Sequence, residues 1–371
     1  MTPAHKAAAS FEPTPLCHGH PARGTRILLA LSFCPVPRTR SVTKIFGSFL
    51  ILFGLSQFLG CAARPGTIVR RSGDEIMVCG TMFHTGTPVV LWTDPGGYDA
   101  YRVERRFVSY DRSSWAATTQ DTPDIHTPNR YGLRDALLTP QQIEQVRGGG
   151  WDLPLLRDKI DQLVFHYDVD GTSRGCFKSL QDARGLSVHF MLDLDGTIYQ
   201  TLDVKEKAWH ATIANSRSIG IEIANRGAYE TPNLLKQWYA RDDDGRTRIT
   251  IPPSLGDGGE RTKNFIARPI RKGIVRGQVQ GQTLVQYDFT PEQYAALIKL
   301  TATLCTIFPK ITCDYPHDVQ GRLITHKLPD AQLAAYHGLL GHYHIQTNKQ
   351  DPGPAFQWDR VVEGARNLMI R

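Results

Sequence analysis

Gly341-His342-Tyr343-His344, followed closely by Lys349-Gln350-Asp351-Pro352-Gly353-Pro354, is the stretch on which the reading of this chain turns. An earlier segment, Val164-Phe165-His166-Tyr167, complements it. His166 ends a run whose apolar character predicts a buried strand. His342 and Asp351 lie in a stretch able to fold back on itself. Two neutral imidazoles and one carboxylate suit Zn²⁺ and leave a fourth coordination position for water. His344 is a rival ligand, but in an extended segment its side chain would point away from that of His342. Taken singly, each histidine is explained by hydrogen bonding within a core, and Asp351 by a turn before Pro352. The combination is what points to a metal.

Outward from these residues the chain alternates strand and helix. Asp161–Tyr167, Ser187–Leu194 and Ser218–Ala224 read as core strands, with Asp195-Gly196 turning the second into a hairpin with Thr197–Leu202. Thr290 is a good N-cap before Pro291, and Leu297, Leu300 and Leu304 recur on one face to about Phe308. Asp330–Leu340 and Asp359–Met369 are expected as further helices. Upstream, Thr87–Thr93 reads as a strand and Gly148-Gly149-Gly150 as a boundary. The domains expected are a leader over 1–60, an N-terminal extension over 61–150 and an α/β domain over 151–371. The last carries a polar insertion at about 229–288, expected as a surface excursion. A central mixed β-sheet flanked by α-helices is the fold class.

Glu222 interrupts an otherwise apolar strand, and a carboxylate there needs a reason. Beside a metal-activated water it could accept a proton and pass it to a leaving amine. Solvent exposure by strand alternation is the bland alternative. Lys349, two residues before Asp351, could stabilise an oxyanion as a carbonyl carbon becomes tetrahedral.

Val164-Phe165-His166-Tyr167, Ser187–Gln200, Ala208-Trp209-His210-Ala211, Ser218-Ile219-Gly220-Ile221-Glu222, Gly341-His342 and Lys349–Pro354 occur in that order. The ordered set resembles the type 2 N-acetylmuramoyl-L-alanine amidase family, related to peptidoglycan recognition proteins and amidase-type phage lysozymes. The likeness spans roughly Asp161 to Trp358, interrupted by the insertion. It implies His166, His342 and Asp351 as zinc ligands, Glu222 as general base, and Trp209-His210 as part of a substrate groove. It also implies hydrolysis of the amide between the lactyl group of N-acetylmuramic acid and L-alanine, in peptidoglycan or soluble muropeptides. Two rivals are a recognition module that binds muropeptides without cutting them and a cytosolic recycling amidase for anhydro-muropeptides. The three ligand positions argue against the first and an exported leader against the second. His189 is expected to be structural, and Asn215 and Arg226 are left undecided.

The net charge of +7 is no sign of a nucleic-acid partner. Lys6, Arg23, Arg26, Arg38, Arg40 and Lys44 face Glu12 alone in residues 1–60, so five of those seven charges lie in the leader. There, Arg38, Arg40 and Lys44 precede an uncharged segment at 45–60 that ends at Cys61, the pattern of a secretory signal. The segment is short for a spanning helix. Phe58-Leu59-Gly60-Cys61 resembles a bacterial lipobox, with Phe58 departing from it, so Cys61 is the lipidation candidate. Alanine at position 62 suggests an outer-membrane lipoprotein facing the periplasm; an uncleaved signal anchor is the alternative. A monomer is expected. None of the seven cysteines forms a CxxC pair, and Cys305 with Cys313 could form a local disulfide in an exported protein.

Overall fold

The structure is a computed structural model that describes residues 70–370, which belong to one compact unit. The leader, its apolar segment and Cys61 lie outside the described residues. No helix among the described residues is long and apolar enough to cross a membrane.

Six strands form the central sheet, in the order Gly338–Gly341, Gln162–Tyr167, Ser218–Ile223, Phe190–Leu192, Ile198–Gln200, Val89–Leu91. Only the Phe190–Leu192 and Ile198–Gln200 pair runs antiparallel, the hairpin expected at Asp195-Gly196. The other pairings are parallel, so the sheet is mixed. Central parallel strands are covered on both faces, which is why they read as nearly continuous apolar runs.

Alternation along these strands then sorts the side chains. Leu163, Phe165, Ile219, Ile221 and Ile223 join the core made with the helices Pro291–Ile307 and Trp358–Met369. The first helix starts with a capping box between Thr290 and Gln293. The two helices lie so close that a Cβ on Gly364 would come within 2.7 Å of the Ile298 side chain. Val164, His166, Gly220 and Glu222 occupy the alternate positions and are left for the other face.

Several expectations need correction. Asp330–Leu340 is helical only over Asp330–Ala335; Gly338–Gly341 is the edge strand of the sheet. Its glycine-flanked Leu339 and Leu340 pair with Leu163 and Val164, and a side chain on Gly338 would meet the carbonyls of Thr312 and Asp314 at 2.8 and 2.9 Å. The glycines at 148–150 end a helix, Pro140–Gly149, rather than a domain. Val89–Leu91, in the supposed extension, is a strand of the same sheet, paired to Ile198–Gln200. The insertion is more than a surface excursion. Its second hairpin, Val275–Val279 with Gln282–Gln286, carries buried side chains into the site described below. The cysteine pair is also resolved: Cys305 and Cys313 are buried free thiols.

Candidate metal centre

His166 and Glu222 are opposite each other in the register of two parallel strands and project from the same face. His342 begins a single 3-10 turn, His342–His344, directly after the edge strand. That turn, rather than an extended chain, separates the two histidines. His344 is fully buried; its Nδ1 accepts the Gly341 N–H at 2.8 Å and its Nε2 faces the Ile324 carbonyl at 2.6 Å. It serves the turn and has no atom free for a metal.

His166, His342 and Asp351 converge, all buried, with one ligand atom from each lying within 4.8 Å of the others. His166 Nδ1 is 2.8 Å and His342 Nδ1 3.0 Å from Asp351 Oδ2, and the two Nδ1 atoms are 3.1 Å apart. The remaining ring nitrogens point outward. His342 Nε2 lies 2.7 Å from Gln346 Oε1, an acceptor, so it carries the hydrogen and leaves Nδ1 as a lone pair. His166 Nε2 lies 3.0 Å from His210 Nδ1, and His210 Nε2 is 3.3 Å from Ser218 Oγ. With hydrogens running outward along that chain, two lone pairs and a carboxylate oxygen face one point. That is a donor set for a cation, with each histidine oriented by an outer partner. Zinc fits it: neutral imidazoles with a carboxylate are ordinary ligands of an open zinc site.

Electrostatics agree with this. Burial, then the neighbouring His342, pushes His166 down to about 4. Burial would raise the Asp351 carboxyl, but the His342 and His166 imidazoles hold it far below the usual carboxylate range. Glu222 goes the other way: burial, then the charge of Asp351, raises it well above the usual range. Its Oε2 is buried without a hydrogen-bond partner. A lone pair left so costs about 1–3 kcal/mol unless something occupies the space beside it.

These residues line a pocket of about 110 Å³, with Lys349 and Trp209 also on its wall. His210, expected in the substrate groove, also lines this pocket; its ring lies flat over Gly220, with nitrogens 3.0 Å from His166 Nε2 and 3.3 Å from Ser218 Oγ. A Cβ at Gly220 would fall 2.6–2.8 Å from three ring atoms, which is why only glycine fits there. Trp209 is half-buried. His189 is structural, as expected: the Gly220 N–H donates to its Nδ1 at 3.1 Å, and Nε2 lies 2.9 Å from the Glu206 carbonyl.

The residues missed by sequence reasoning are glutamines. Gln280 Nε2 donates to the carbonyls of Tyr343 and Gln346 at 2.9 and 2.8 Å. Gln286 donates to the Pro352 carbonyl at 3.1 Å and accepts the Ala355 N–H at 2.9 Å. Both come from the insertion hairpin and hold the loop that carries His342 and Asp351. No local pattern marks them; an uncharged polar residue in a strand otherwise reads as solvent-facing.

Residues 156–354, more than half of the chain, match the family described as N-acetylmuramoyl-L-alanine amidase. The chain belongs to that family. Its enzyme class is thus the amide hydrolase of peptidoglycan. Among solved structures, a selenomethionine derivative of AmpD is 17% identical, with 63% of this chain and 89% of that one covered and a TM-score of 0.30. The amidase AmiD from E. coli, bound to anhydro-N-acetylmuramic acid-L-Ala-D-gamma-Glu-L-Lys, is 20% identical over 56% of this chain and 57% of its own, at a TM-score of 0.32. The amidase endolysin LysCS from Clostridium intestinale URNW is 15% identical, over 57% and 86%, at 0.29. No curated protein matches the chain.

Proposed function

We propose that this amidase is zinc-dependent and cleaves the amide joining the lactyl group of N-acetylmuramic acid to L-alanine, in peptidoglycan or muropeptides released from it. His166, His342 and Asp351 hold the ion. The observation that carries this reading is the convergence of those three donors beside the unpartnered Oε2 of Glu222. When bound, zinc supplies a Lewis acid for the scissile carbonyl and lowers the pKa of water. Glu222, kept basic enough by burial and by Asp351, takes the proton of the attacking water and delivers it to the leaving L-alanine amine. The Lys349 ammonium, on the pocket wall, offsets negative charge on the carbonyl oxygen as the carbon becomes tetrahedral. Trp209 offers an aromatic face to sugar or peptide at the same wall. Cys61 carries lipid after cleavage of the leader, which places the enzyme on the outer membrane facing the periplasm, where its polymer lies.

The test is mass analysis of products from intact sacculi and from soluble muropeptides, with and without chelator, alongside the metal content of His166→Ala. The expected result is free stem peptide, abolished by chelator, and a His166→Ala protein with neither zinc nor activity. Full zinc occupancy in that variant would remove His166 from the ligand set.

A further inference from the structure

Arg134 lies outside the residues matched to the family, in the segment that precedes them. It is fully buried and is one of the largest side chains so placed. The two-residue strand Tyr131–Gly132, paired antiparallel to Lys207–Ala208, brings it there. Burial pushes its guanidinium down to about 9. A buried cation is costly unless its hydrogens are satisfied, and here carbonyl oxygens do most of that. Nη1 donates to the carbonyls of Asn215, Ser216 and Ser218 at 3.1, 2.7 and 3.1 Å. Nη2 donates to the Val204 carbonyl at 3.0 Å and lies 3.0 Å from His189 Nε2.

Those carbonyls flank His210. Asn215 Oδ1 accepts the N–H groups of His210 and Ala211 at 3.1 and 2.6 Å. Ser218 Oγ is the outer neighbour of the His210 ring, and His210 Nδ1 meets His166 Nε2 at 3.0 Å. We propose that Arg134 is a positioning residue for the metal centre: by gathering the 215–218 carbonyls it sets the His210 ring, and through it the orientation of His166. The inference rests on the reading of His166 as a metal ligand. Arg130 is an internal comparison. It is equally buried and also donates to carbonyls, but to those of Gln181, Thr127 and Pro128 and to none of the 215–218 segment.

The experiment titrates chelator-stripped full-length protein with Zn²⁺ against a chromophoric competitor, and with Co²⁺ to record its visible absorption. The proteins compared are wild type, Arg134→Met, Arg134→Lys and Arg130→Met. Arg134→Met is expected to raise the zinc Kd about 10–100-fold, the usual effect of removing support behind a ligand, and to alter the cobalt spectrum. Arg134→Lys should recover part of the loss. Arg130→Met should lower thermal stability with Kd unchanged. Should Arg134→Met fail to fold, Asn215→Ala decides the matter: it cuts the link to His210 and leaves the guanidinium on its backbone carbonyls, so its Kd should rise as well. An unaltered Kd and cobalt spectrum in folded Arg134→Met, or in Asn215→Ala, overturns the inference while the metal reading stands. An equal rise in Arg130→Met also overturns it. Failure of wild type to bind zinc at all overturns the metal reading and this inference with it.

Discussion

His166 and Glu222 are direct partners across two parallel strands, one imidazole and one carboxylate side by side on the same face of the sheet. The pairing separates two tasks. His166 turns Nδ1 toward His342 and Asp351, whereas Glu222 keeps an unpartnered oxygen beside that cluster without joining it.

That separation is testable by Glu222→Gln. The amide keeps the shape but cannot accept a proton, so zinc content should stay at about one per chain while kcat falls about 10²–10⁴-fold. Metal analysis and turnover on the same preparation check it. Near-normal turnover would take Glu222 out of the mechanism.

Gly220→Ala tests the close approach of His210. With the new Cβ 2.6–2.8 Å from the ring, either the ring or the strand must shift. A loss of about 1–3 kcal/mol of stability is expected, as for overpacking elsewhere, together with weaker zinc binding because His210 backs His166. Thermal melts and zinc titration measure the two effects; a variant with wild-type values for both would show that the ring is not held there.

Asp193 predicts a pH dependence of stability. It is fully buried, accepts the Ser173 and Leu194 N–H groups at 3.2 and 3.0 Å through Oδ1, and leaves Oδ2 unpartnered. Burial pushes its carboxyl up to about 7, against about 3.9 in an unfolded chain. The folded value is the higher one, so the folded state keeps a proton that the unfolded chain releases. The stability this group contributes at low pH is lost as pH rises from about 4 to about 7, by up to about 4 kcal/mol. Asp193→Asn keeps the acceptor and cannot ionise. Its unfolding free energy, followed by denaturant titration, should fall less steeply over that window; an unchanged slope would clear Asp193 of the effect.

Cys61→Ser tests the anchor. Wild-type protein should sediment with outer membranes and the variant should not, since acyl chains add about 0.8 kcal/mol per buried methylene. Identical partitioning of the two would favour an uncleaved apolar anchor over residues 45–59.

Much of this was legible in the sequence because it is local. Nearly continuous apolar runs located the His166 and Glu222 strands, Asp195-Gly196 their hairpin neighbour, and the Thr290 cap with Pro291 the long helix. Each signal depends only on residues a few positions apart, and each names a conformation that those residues adopt for steric or hydrogen-bonding reasons. The chemical types of the site residues were legible in the same way, and the order of the motifs supplied the family.

Only tertiary structure decided which atoms meet. Gly338–Gly341 extends the helix pattern before it and became a strand because an open sheet edge at Gln162–Phe165 could pair with it. His210, on the wall of the pocket, meets His166 because Gly220, on a different strand from His166, gives its ring room. Arg134, Gln280 and Gln286 look like ordinary polar residues of an extension and an insertion. They became supports of the site because folding removed water from them and left backbone carbonyls as partners. A buried donor takes whatever acceptor the fold brings to it, and sequence spacing does not record which one that is.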